Sequence, residues 1–158
     1  MQYSTMIASF GFEPPLVEGG WFVEQSLFRL LLDFEIRKAQ RLRYSVSLVC
    51  FAIELGPASD REASPGSVAE SITPNLRGTD AVAAWTQGWL TLLLVDAETT
   101  HLPSILERLT TRLETIAWSA GGSCYPRTAA RAEDMLRQAV DLLERAKAEG
   151  GNRLYVAS

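Results

Sequence analysis

Between residues 21 and 43 the apolar side chains Leu27, Phe28, Leu31, Leu32, Ile36 and Ala39 recur at helical spacing, with Arg29, Asp33, Arg37, Lys38 and Arg41 largely opposite. The pattern predicts an amphipathic helix packed against a core. The period then changes. Residues 45–54 are short, almost wholly apolar and rich in β-formers, as expected of a central strand buried on both faces. Gly, Pro, Ser and Asp over residues 56–67 mark a loop, and a short helix is predicted from Val68 to about Leu76, its end set by Pro74. Residues 81–85 and 89–95 read as two strands, joined by Thr86-Gln87-Gly88, a tight turn with a glycine available for φ > 0. Leu102, Ile105, Leu106, Leu109 and Leu113 form another helical stripe, followed by a strand over residues 116–125. Met135, Leu136, Ala139, Leu142, Leu143 and Ala146 line the next helix, Gly150-Gly151 stops it, and residues 153–157 supply a last short strand.

The order is helix, strand, helix, strand, strand, helix, strand, helix, strand. Its centre is a βαββαβ unit, which predicts an α+β, ferredoxin-like fold with an antiparallel-dominated sheet, helices packed on one face, and an added N-terminal helix. Residues 1–20 hold Pro14-Pro15 and Gly19-Gly20 without a sustained period, so they are expected to be an arm or linker remnant, with one domain over residues 21–158. A chain of 158 residues buries roughly 68–70% of its unfolded surface, enough for a core without staples.

Charge narrows the function classes. A formal net charge of −4 argues against binding a nucleic acid backbone, which needs clustered Lys and Arg, but leaves small anionic ligands open through local arginines. Cys50 and Cys124 sit in apolar segments without metal-type spacing, so two reduced, buried thiols are expected, with a disulfide between them as the alternative. No apolar run reaches the roughly 18 residues of a membrane span and no secretory pattern opens the chain, which predicts a cytoplasmic protein without membrane insertion. No Ser–His–Asp, Cys–His or metal-cluster pattern is visible, and the lone His101 is expected to cap a loop or face solvent.

Three landmarks carry a family likeness: Arg77-Gly78-Thr79-Asp80 before the hairpin, Ser119-Ala120-Gly121 in the following strand, and Ala146-Lys147-Ala148-Glu149-Gly150-Gly151-Asn152-Arg153 near the end. In order and spacing, over about residues 21–157, the chain resembles a GGDEF domain, the domain of bacterial diguanylate cyclases, whose core is palm-like. Measured from Arg77 and Asp80, the pentapeptide that names the family falls on Thr86, Gln87, Gly88, Trp89 and Leu90, with its acids replaced. Ala52 stands where the family has a metal-binding aspartate, and only Glu54 remains nearby. The guanine-recognising stretch is replaced by the loop over residues 56–67, and the N-terminal turn motif is missing from residues 17–25. The resemblance therefore implies a degenerate domain, not an enzyme, with no catalytic residues, no metal and no cofactor.

What the resemblance retains is an inhibitory-type RxxD site made of Arg77 and Asp80, with Arg108 completing it from the next helix. Its ligand would be cyclic di-GMP, bound as an intercalated dimer bridging two protein surfaces. Arginine pairs with guanine O6 and N7, and aspartate accepts from a guanine N–H. The alternative is an exposed Arg77–Asp80 pair worth about 0–1 kcal/mol. Trp89 is expected to fold inward and fill the volume vacated by metal and nucleotide, whereas two solvent-facing rings at Trp85 and Trp89 would make an interaction patch. Lys147, near the family's phosphate-binding end, is expected to be a solvated helix-end lysine. The expected function is a catalytically inactive regulatory or binding module in cyclic di-GMP signalling. The alternative is a ligand-independent scaffold that pairs with itself or another signalling protein.

Overall fold

The apolar run that follows the first helix is the middle of a six-stranded sheet. A computed structural model describes residues 19–55, 64–85, 87–111, 113 and 115–158. Most of the expected arm, most of the loop over 56–67, and Thr86 lie outside the described residues. In chain order the elements are β1 (Trp21–Phe22), α1 (Gln25–Leu42), β2 (Val46–Leu55), α2 (Pro65–Ile72), β3 (Ala81–Ala84), β4 (Leu90–Val95), α3 (Leu102–Thr111), β5 (Thr115–Tyr125), α4 (Ala132–Ala148) and β6 (Arg153–Val156), with 3₁₀ turns at Thr73–Asn75 and Thr99–His101. The strands lie in the order β1-β3-β4-β2-β5-β6. The expected βαββαβ core is present as β2-α2-β3-β4-α3-β5. Its four strands pair antiparallel, while β1 joins β3 and β6 joins β5 in parallel, so the sheet is mixed.

Helices cover both faces of this sheet: α2 and α3 of the central unit share one face, as the sequence predicts for that unit, and α1 and α4 cover the other. Val49, Phe51, Val82, Leu92 and Leu94 pack with Val68 and Ile72 of α2 and Leu102, Leu106 and Leu109 of α3. Val46, Leu48, Cys50, Ala83 and Leu93 pack with Phe28, Leu32 and Ile36 of α1 and Met135, Ala139 and Leu143 of α4. The physical reason lies in the strands themselves. Successive side chains of a strand point to opposite faces, and β2 is apolar at nearly every position, so a single helical layer would leave half of it in water.

Two element boundaries differ from expectation. The first helix begins at Gln25, because Glu24 accepts from the Leu27 N–H as its cap, and Trp21–Phe22 is instead extended against β3. Leu27 belongs outside the core stripe with which the spacing grouped it, since it is 41% exposed. The second helix begins at Pro65, capped by the Ser64 hydroxyl, so residues 65–67 are helical rather than loop. It gives way to the 3₁₀ turn that contains Pro74.

Both cysteines are free and buried. In the β2–β5 ladder Cys124 faces Ser47 and Cys50 faces Gly121, a stagger of three residues or ~10 Å along the strand. A disulfide does not span that distance. Desolvation pushes the Cys50 thiol up to about 12, so its reactive thiolate is scarce at neutral pH. Native protein at pH 8 is expected to show negligible reaction with a thiol-titrating disulfide reagent, and two thiols per chain after denaturation; fast labelling of the native protein would contradict the buried placement.

Gly121 lets α4 approach the sheet. A Cβ there would lie 2.1 Å from the Ala139 carbonyl oxygen and 2.5 Å from the Leu143 nitrogen, both backbone atoms. Gly121→Ala should therefore push α4 away and destabilise the protein by about 1–3 kcal/mol or more, measured as a lowered midpoint in urea unfolding.

Candidate functional site

The two ends of the β3–β4 hairpin carry the two sets of residues singled out by the sequence. At the turn end, Trp85 accepts from Gly88 N–H and donates its own N–H to the Trp89 carbonyl, and Gly88 takes φ of 99°, the left-handed conformation that favours glycine. Gln87 and Gly88 are exposed, Leu90 is buried, and Thr86 lies outside the described residues. Trp85 is buried, with its indole N–H donating to Thr91 Oγ1 at 2.6 Å and the Arg29 guanidinium stacked 4.9 Å from its ring centre. The hairpin aromatics therefore do not form a solvent-facing pair.

Trp89 is half-buried and packs against the α1–α4 side of the sheet, as does Ala52. Phe51 pairs with Leu90 at the end of the β2–β4 ladder, next to these two residues. The Trp89 Nε1 is buried with no hydrogen-bond partner among the described residues.

Ala52, exposed Glu54, Trp118, Ser119 and Lys147 share a shallow groove of about 220 Å³ at the adjoining end of β2 and β5. Lys147 is partly exposed and lies 3.7 Å from Glu144 on its own helix, the solvated role expected of it. Mg²⁺ is held by oxygen ligands, commonly carboxylates. Ala52, Gly88 and Trp89 offer no side-chain oxygen, and no cluster of three metal-ligating side chains occurs among the described residues. The residues present do not fit the metal of the family.

At the other end of the hairpin, Arg77, Asp80 and Arg108 line one open groove of about 290 Å³. Its floor is apolar, from Leu76, Leu94, Ala97 and Ile105, and Asp96 and His101 complete the rim. The sequence reading named the three site residues but missed these last two, whose signal is their position just after β4 and before α3. His101 is exposed and accepts from the Glu98 N–H through Nδ1, so it caps its turn and faces solvent.

Asp80 is 3% exposed. Its Oδ2 accepts from the backbone N–H and Nε of Arg77, both at 3.2 Å, and its Oδ1 accepts from Val95 N–H at 3.0 Å. The Arg77 guanidinium also donates to the Val95 carbonyl. The pair is thus neither a loose surface contact nor a free carboxylate; Asp80 ties the loop to the end of β4 and fixes the half-exposed Arg77. Arg108, on the exposed side of α3, faces the same groove without a described partner.

No protein-family model and no curated protein sequence matches the chain. Solved structures do. The GGDEF domain of YfiN from Pseudomonas aeruginosa superposes with a TM-score of 0.71 at 18% identity, covering 86% of this chain and 96% of that one. A microbial GGDEF domain described for its interaction with cyclic di-GMP gives 0.70 at 22% identity, covering 90% and 97%. The GGDEF domain of DgcB from Caulobacter crescentus, in complex with cyclic di-GMP, gives 0.69 at 14% identity, covering 87% and 89%. The chain has the GGDEF fold. No described helix of this GGDEF-like domain is long and apolar enough to cross a membrane.

The burial of Asp80 separates its role from that of Arg77. Asp80→Ala leaves the Val95 and Arg77 N–H groups without their acceptor and is expected to destabilise the domain by about 2–4 kcal/mol. Arg77→Ala should change stability by about 1 kcal/mol or less. Equal losses in chemical denaturation would show that Asp80 does not anchor the loop.

Proposed function

We propose that this GGDEF-like domain is a catalytically inactive module of cyclic di-GMP signalling that binds the dinucleotide at Arg77 and Arg108. The observation that carries the reading is the convergence of Arg77, Asp80 and Arg108 on one groove from two separate elements. Asp80 is buried and its oxygens already accept three hydrogen bonds from Arg77 and Val95. Its role is to orient Arg77, whose remaining N–H groups, with those of Arg108, suit guanine O6 and N7 or a phosphate oxygen. The apolar floor gives a purine face something to pack against. GGDEF domains of similar fold have been solved with cyclic di-GMP, which supports the ligand class. Inactivity follows from chemistry: two-metal attack on a phosphate needs oxygen ligands, and Ala52, Gly88 and Trp89 supply none.

Calorimetric titration with cyclic di-GMP tests the reading. Saturable binding is expected, weakened tenfold or more by Arg77→Ala and by Arg108→Ala, since a bidentate arginine–guanine pair is worth about 1–3 kcal/mol. Incubation with GTP and Mg²⁺ or Mn²⁺ should give no dinucleotide product. Unchanged affinity in both variants would remove the proposed site, and turnover would remove the inactive assignment.

A further inference from the structure

Helix α1 meets the sheet through Phe28, Leu32, Ile36 and Ala39, and one carboxylate, Glu35, is buried along with them. Beside that face a cleft of about 360 Å³ remains between α1 and β1, within the range typical of small-molecule sites. Its floor is the buried pair Ala81 and Leu93 of β3 and β4. Trp21 walls it on one side, fixed by donation from its indole N–H to the Gly78 carbonyl at 2.9 Å, and Leu31 and Phe34 wall it on the other. The exposed rings of Trp21 and Phe34 make its mouth an apolar patch. Glu35 and Lys38 supply the charged part of the lining. Glu35 is 8% exposed, and a buried carboxylate needs partners for its charge. Its Oε2 has two, accepting from the Tyr44 hydroxyl at 2.5 Å and lying 3.1 Å from Lys38 Nζ. Its Oε1 accepts from no described residue and is not sealed from the surface. The Lys38 ammonium also lies 5.2 Å from the centre of the Phe34 ring, within reach of cation–π attraction.

We propose that this cleft binds a small amphipathic amine, with its ammonium on Glu35 Oε1 and its apolar body between Trp21, Leu31 and Phe34. The fold already holds this chemistry, because Lys38 sets an ammonium beside the same carboxylate and the same aromatic ring. The two charges differ in how firmly they are placed. Glu35 is buried and held by Tyr44, whereas the Lys38 side chain is 46% exposed on a flexible stem and can carry its charge out to water. A ligand therefore meets a fixed anion and a movable cation, and the fixed one sets the sign. An uncharged head would cover Oε1 without neutralising it, and a carboxylate head would meet Glu35 as a like charge; both leave the buried anion worse placed than an ammonium does. The walls suit the rest of the ligand, since indole and phenyl faces attract both apolar groups and cations. None of these residues lines the nucleotide groove, so the inference stands apart from that reading.

The test uses the full chain and three probes built on one phenyl ring, namely phenethylamine, phenylethanol and phenylpropionate. Each is titrated while the indole N–H resonances of the protein are followed, with that of Trp21 assigned through Trp21→Phe. Phenethylamine should bind saturably, shift the Trp21 resonance, and bind tenfold or more tightly than the alcohol or the acid. Glu35→Gln keeps an acceptor for Tyr44 and should weaken phenethylamine tenfold or more while leaving the alcohol unchanged. Lys38→Met keeps an apolar stem, removes the competing charge, and should strengthen phenethylamine threefold or more at an unchanged circular dichroism spectrum. If Glu35 and Lys38 only brace the helix, neither substitution moves the affinity and the proposal fails. Absence of saturable binding at millimolar phenethylamine also overturns it. So does equal affinity for all three probes, which would mark the cleft as unselective apolar surface, or tighter binding of the acid, or an amine affinity weakened by Lys38→Met.

Discussion

Everything in this domain is arranged around the need to dry both faces of β2. Val46, Leu48 and Cys50 point one way, Val49 and Phe51 the other, and all five are fully buried. At about 1.5–3 kcal/mol for each large apolar side chain removed from water, leaving either face uncovered would forfeit a large share of the roughly 5–15 kcal/mol by which an ordinary domain is stable. The chain meets this constraint with α1 and α4 on one side and α2 and α3 on the other. Polar chemistry is then confined to the ends of the strands. The hairpin divides it further, because its turn at Gly88 and its base at Asp80 and Val95 lie at opposite ends of β3 and β4. A change at one end need not pass through the other.

That separation explains how a GGDEF fold with Trp89 at its turn keeps an ordered base. The base is held by one carboxylate. Asp80 joins the backbone of its own loop to β4, while Trp21 Nε1 donates to the Gly78 carbonyl from the other side of the loop at 2.9 Å. The loop between Arg77 and Asp80 therefore lies between two surfaces, the groove that holds Arg108 and the apolar patch that contains Trp21. Both its hydrogen-bonding edges are engaged within the domain, which presents the Arg77 guanidinium in a set direction instead of leaving it to find a ligand by rotamer search.

Much of this was legible in the sequence because it is local. Helical and alternating periods located α1, β2, the hairpin, α3, β5 and α4, and the family resemblance named Arg77, Asp80 and Arg108, three residues that the fold brings to one groove. The misses are non-local. β1 is two residues long and exists only through pairing with β3, some sixty residues later. The spacing of Leu27 is compatible with the core stripe of α1, and only its exposure shows that it lies outside the core, while Leu31 packs partly buried at the core's edge. Asp80's backbone acceptor role depends on Val95, fifteen residues away across the hairpin, and no motif encodes it. The second helical layer was legible as well, since residues 45–54 read as a strand buried on both faces.

The turn end of the hairpin shows how a small and a large residue share one face of the sheet. Alanine at position 52 is small and tryptophan at position 89 is large, and both pack on the α1–α4 face of the sheet. A carboxylate at position 52 would sit on this partly dry face without a cation beside it. A carboxylate at position 89 alone would empty the space the indole fills, and close-packed interiors resist such voids. Introducing either acid singly is thus opposed by packing or by desolvation. Ala52 and Trp89 are on this argument a stable packing solution for this end of the sheet.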